Sequence, residues 1–73
     1  MPSNNSKVVR NNRNMIIGWC TEYPDRIIAT HYKKGYLGCY TKGTDTTIDI
    51  KTGKIFCYGD GTMALILQAD KEA

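Results

Sequence analysis

The sequence predicts an all-β fold: a small antiparallel β-meander of five to six strands, open or closed into a small barrel, behind a disordered basic N-terminal leader. Three observations point there. Apolar and β-branched runs recur along the chain at lengths that suit strands, turn residues separate them, and a short pattern repeats 18 residues on.

Residues 1–14 are mostly Asn, Ser, Lys and Arg around the apolar pair Val8 and Val9, with no periodicity that would bury a face, and read as a flexible leader. Residues 15–69 read as one β domain. Its runs fall at 15–20, 27–32, 36–41, 46–50, 55–58 and 62–68. Residues 70–73 read as a frayed tail.

The turns join consecutive runs as antiparallel neighbours. Tyr23-Pro24-Asp25-Arg26 places proline where a type I turn needs φ near −65°. Lys33-Lys34-Gly35 and Lys51-Thr52-Gly53-Lys54 suit three-residue loops closed by a left-handed glycine, and Asp60-Gly61 suits a type I′ hairpin. Lys33, Gly35, Cys39, Tyr40, Gly43 and Thr44 recur as Lys51, Gly53, Cys57, Tyr58, Gly61 and Thr62, the echo expected of a two-strand repeat unit.

These loops imply a register. A two-residue Asp60-Gly61 loop sets Tyr58 against Met63 and Phe56 against Leu65, while the Lys51–Gly53 loop sets Ile48 against Phe56. One face then collects Ile48, Ile50, Phe56, Tyr58, Met63, Leu65 and Leu67 as a core. The other carries Leu37, Cys39, Ile55, Cys57 and Ile66, apolar enough to need a cover: the first strand with Trp19, barrel closure, or another chain.

Composition narrows the function classes. Hydrophobic residues are 41% and charged residues 23% of 73, the balance of a folded domain whose small core supplies only about 3–5 kcal/mol of net stability. No run nears the roughly 20 apolar residues of a membrane span or forms a secretory signal, so the expected address is cytoplasmic. The formal charge of +3 sits in the leader, on Lys7, Arg10 and Arg13; from Met15 onward basic and acidic residues balance.

Cys20, Cys39 and Cys57 are odd in number and widely spaced, which reads as free thiols rather than a disulfide framework. With His31 they match the ligand count of a zinc site but not its spacing, so no metal or cofactor is expected. Cys20 with His31 is the one nucleophile and base pair a hairpin would bring near, without an oxyanion motif beside it. Gly59-Asp60-Gly61-Thr62 lacks the rest of a phosphate or calcium loop, and Asp45 and Asp49 read as solvated; no enzyme is expected.

Two functional expectations remain. The first is a non-enzymatic protein-interaction module, self-associating or docking on a larger protein through Leu37, Cys39, Ile55, Cys57 and Ile66 or through a strand edge. The alternative is a nucleic-acid-binding β domain, whose Lys33, Lys34, Lys51 and Lys54 fall at one sheet end and join Arg10 and Arg13 of the leader, with Tyr32 or Tyr36 for stacking.

Overall fold

The computed structural model describes residues 5–72. Six strands, β1 (Asn5–Arg10), β2 (Ile16–Glu22), β3 (Arg26–His31), β4 (Gly35–Thr41), β5 (Thr46–Asp49) and β6 (Lys54–Tyr58), form one antiparallel sheet in sequence order. A C-terminal helix, α1 (Thr62–Glu72), lies on one side of it. The fold is a mostly-β meander. β1 and β6 are its two edges, so the barrel alternative does not form.

Three sequence expectations change. Residues 5–10 of the expected leader are a strand, because Val8 and Val9 pair with Trp19 and Gly18 and the asparagines behind them make a turn. The Asn11 side chain accepts from the backbone N–H groups of Arg13 (2.9 Å) and Met15 (3.0 Å), and Asn14 takes a left-handed φ of 64°. Residues 1–4 of the leader lie outside the described residues, as does Ala73 of the expected tail; Asp70 to Glu72 complete α1.

The expected strand at 62–68 is helical. Its buried residues are Thr62, Leu65, Ile66 and Ala69, the i, i+3, i+4, i+7 spacing of a helix resting one face on a sheet. Asp60 caps it, its Oδ1 accepting from the Thr62 N–H at 3.1 Å, rather than turning a hairpin. The corner before it is held by fully buried Thr47, whose hydroxyl donates to the Gly59 carbonyl (2.6 Å) and accepts from the Gly61 N–H (2.8 Å).

The third change is register. Asp49 pairs with Lys54, so the β5–β6 loop is Ile50 to Gly53, one residue longer than expected, and Ile48 faces Ile55 instead of Phe56. A one-residue slip exchanges sheet faces. Ile48 therefore leaves the expected core, and a second irregularity between Thr47 and Ile48 sets Cys57 opposite Thr47.

The core lies between α1 and the sheet: Val9, Ile17, Ala29, Leu65 and Ile66, with Cys20, Leu37 and Phe56 packed against it. Burying Leu65 and Ile66 stabilises the docked helix by roughly 1.5–3 kcal/mol each. Glycine permits the close approach: a Cβ on Gly18 would lie 2.8 Å from Ile66 Cγ2, and one on Gly38 would lie 3.0 Å from Leu65 Cδ1. The overall extents of 34 × 31 × 17 Å fit a helix layer on a sheet layer.

Candidate functional site

Alternation along the strands decides which side chains share a face. Gly18, Cys20, Ala29, His31 and Gly38 belong to the helix side: Gly18 and Gly38 lie under Ile66 and Leu65, the Cys20 thiol donates to Thr62 Oγ1 at 3.3 Å, and His31 Nε2 lies 3.2 Å from Asp70 Oδ1. Their strand neighbours belong to the other side, which among the described residues nothing covers.

Cross-strand pairing arranges that open face in three rows. The middle row runs Ser6, Thr21, Ile28, Cys39, Ile48 and Ile55 across all six strands. One flanking row holds Val8, Trp19, Thr30 and Tyr36. The other holds Arg26, Thr41, Thr46 and Tyr58. Val8 is 53% exposed, Tyr36 47%, Ile55 49% and Tyr58 78%, while Ile28, Cys39 and Ile48 between them are half-buried by their neighbours and Thr46 is buried. No acid lies in these rows. Arg26 stands at the periphery and is paired with its neighbour Asp25 at 3.4 Å. Partial burial, and then the adjacent Cys39 thiol, hold the Tyr36 phenol above the usual range, with Arg26 acting against them.

The expected contact residues divide between the two sides. Cys39 and Ile55 lie in the middle row of the open face. Leu37 packs against the core beside Leu65, Cys57 Sγ lies beneath Gly61 on the helix side, and Ile66 is fully buried. They do not form one surface, because the hairpin that would have aligned them is the start of a helix. The open face gains Val8, Trp19, Ile28, Tyr36 and Ile48. Gly18 and Gly38 were the available signal, since glycine inside a strand marks close approach by another element and puts Trp19 and Cys39 on the opposite side.

The basic residues do gather at one end. Arg13 lies in the β1–β2 turn, Lys33 and Lys34 in the β3–β4 turn and Lys51 in the β5–β6 turn, with Arg10 and Lys54 at adjoining strand ends. Carboxylates interleave with them. Lys34 Nζ reaches Glu72 at 3.8 Å, the Asp49 carboxylate accepts from the Lys51 backbone N–H at 2.9 Å, and Lys34, Lys51, Asp49 and Glu72 together line a groove of about 160 Å³. Arg10 donates to the Asn14 carbonyl at 3.1 Å, and Lys33 Nζ stands 5.6 Å from the Tyr32 ring centroid.

Cys20 and His31 face the same layer without meeting. His31 Nδ1 accepts the backbone N–H groups of Lys33 (3.1 Å) and Lys34 (3.2 Å), which leaves the ring proton on Nε2 to donate to Asp70. Both nitrogens are thereby committed to structure. Burial pushes the Cys20 thiol up, the Thr62 hydrogen bond pulls it down, Asp60 raises it and Lys7 lowers it, with a net rise that disfavours the nucleophilic thiolate. A groove of about 340 Å³ opens beside it, lined by Lys7, Glu22, Ile27, Asp60 and Met63 among others. Among the described residues no group of three or more His, Cys, Asp or Glu side chains is placed to hold a metal ion, and no helix is long and apolar enough to cross a membrane.

No protein-family model, curated protein or solved structure matches this chain.

Proposed function

We propose that this chain is a non-enzymatic protein-interaction module that docks through the uncovered face of its sheet. The observation that carries the reading is the middle row from Ser6 to Ile55, which crosses all six strands without a charged side chain and, among the described residues, has no element over it. Contiguous apolar surface of this kind marks contact sites on soluble domains. The commitment of His31 and the raised thiol of Cys20 supply no catalytic pair that competes with it.

Ile48→Glu tests the proposal, because it sets a carboxylate in the middle row of the face beside Cys39, and Gln68→Glu, on the exposed side of α1, is the control. With helix and sheet content retained by circular dichroism, Ile48→Glu abolishes association, whether read as mass in solution or as retention of a purified partner, and Gln68→Glu leaves it intact. Association that survives Ile48→Glu contradicts the proposal.

The nucleic-acid reading is favoured by one observation: Trp19 and Tyr36 share a cross-strand row on the open face, near the end that carries Arg13 and Lys33. Bases stack on such aromatic platforms while cations track the phosphates. It predicts quenching of the single tryptophan by an oligothymidylate and an affinity that falls steeply with salt. Unchanged fluorescence at low salt removes it.

A further inference from the structure

We infer that the occupant of the open face is a second copy of this chain, packed sheet on sheet about a two-fold axis that passes beside Cys39. The inference rests on the docking reading above and names its partner.

Size gives the first reason. Six strands about 4.8 Å apart and four to seven residues long outline roughly 500 Å² of plane, which side-chain relief enlarges toward the roughly 800 Å² that each partner buries in a standard dimer. The 34 × 31 Å breadth of the molecule, against a thickness of 17 Å, presents that face as the broad side of a slab. Two slabs meeting there bury a face that a partner smaller than this chain would leave half exposed.

Charge gives the second. A two-fold contact brings a surface against itself, so any charge near the axis meets its own sign. The middle row of the face holds Ser, Thr, Ile, Cys, Ile and Ile, and its charged residues stand apart at the periphery, where Arg26 already has Asp25. The surface is therefore compatible with its own copy. The small and β-branched side chains of its middle row also suit the roughly 10 Å separation at which two sheets interdigitate.

Symmetry then fixes which residues meet themselves. When two equal faces overlap fully, the axis lies between the sheets and crosses the face centre; run along the middle row, it sets each residue of that row against its own copy. The middle of three rows on the two middle strands of six is occupied by Ile28 on β3 and Cys39 on β4. Cys39 is the one thiol on this side, since Cys20 bonds to Thr62 and Cys57 lies under Gly61 on the helix side. Each Cys39 thus faces its counterpart across the axis.

Crosslinking of the intact, reduced chain by a bis-maleimide with a spacer of about 10 Å tests this, because facing Cys39 residues on sheets that far apart are beyond disulfide reach. Each Cys39 S–H adds across one maleimide C=C bond, so one reagent joins two chains through two thioethers with no oxidant and no leaving group. The expected result is a covalent dimer on a denaturing gel, lost in Cys39→Ser and kept in Cys20→Ser and Cys57→Ser. In parallel, the reduced chain sediments at twice 8.2 kDa, and Ile48→Glu, one strand from the centre in the same row, weakens the dimer by at least about 100-fold, the effect of a buried charge that meets its own sign across the axis. Ile28→Cys in a Cys39→Ser chain is a second position for the same test, because Ile28 lies in the same row on the other middle strand.

A dimer that links through neither Cys39 nor Ile28→Cys overturns the inference. So does a monomer at millimolar concentration. If that monomer retains a purified partner that Ile48→Glu releases, the docking reading survives and only the second copy falls; if it retains none, both fall.

Discussion

At the scale of single residues, the helix side of the sheet depends on atoms that are absent. A methyl on Gly18 would collide with the Thr30 carbonyl and with Ile66 Cγ2, so Gly18→Ala should cost about 1–3 kcal/mol as an over-packed contact, read as a lower urea midpoint. A methyl on Gly43 would meet nothing within 4 Å, and the backbone there is not left-handed, so Gly43→Ala should stay within about 0.5 kcal/mol of the parent. Equal losses at both positions would contradict the packing of α1 described above. Asp70→Ala should cost about 1–3 kcal/mol by leaving the buried His31 Nε2–H without its acceptor, while Asp70→Asn, which keeps an oxygen there, should cost less. Cys20 adds a pH dependence. Its thiol is raised by burial in the folded chain, so the folded state holds that proton more tightly than the unfolded one. The resulting stability is complete below the unfolded thiol's titration and is lost as pH climbs through the folded one. Urea midpoints should fall from neutral to alkaline buffer, and part of that slope should vanish in Cys20→Ser; an unchanged slope would place the titration elsewhere, for instance at Tyr40, raised by its hydrogen bond to Asp45.

At the scale of elements, α1 is the part on which the arrangement turns. Eleven residues are too few to stay helical alone, so its order comes from docking and from Asp60, whose carboxylate accepts both the Thr62 N–H and the Thr62 hydroxyl. Asp60→Ala should therefore cost about 1 kcal/mol and fray the first turn, visible as faster amide exchange at Thr62 and Met63 than at Leu65. Intact protection at these amides would contradict the cap. The antiparallel order of β2 to β6 is legible in the sequence, because Pro24, Gly35 and Gly53 sit where turn geometry demands them and the two glycines adopt φ of 78° and 72°. The helix is legible too, in the spacing of Thr62, Leu65, Ile66 and Ala69, but the same stretch also satisfies a strand reading, and Asp60-Gly61 serves a hairpin or a cap equally well. What decides between them is the buried Thr47 hydroxyl, which comes from a strand 12 and 14 positions away and cannot be seen locally. β1 is hidden for a similar reason: Val8 and Val9 bury a face only once β2 is beside them. The β5–β6 loop exceeds the three residues that Gly53 suggests by one, and that one residue moves Ile48 from core to surface.

At the scale of the whole molecule, one helix on one side of a six-stranded sheet leaves an imbalance: a covered face that holds the core and an equally broad face that holds none. A domain with a core of this size has only a few kcal/mol in reserve, so burying the second face would contribute on the same order as the core itself. The same reasoning excludes Ile66 as a contact residue. Ile66→Lys would place a charge in the interior and should unfold the chain, whereas Ile48→Glu should leave it folded and alter only what it binds. Sedimentation equilibrium of the intact, reduced chain beside Ile48→Glu, over a concentration series, distinguishes a sheet face that meets its own copy from one that does not. A reversible dimer is expected for the parent and a folded monomer of 8.2 kDa for the variant. A parent that remains monomeric throughout, or a variant that dimerises as strongly as the parent, would contradict the self-docking face.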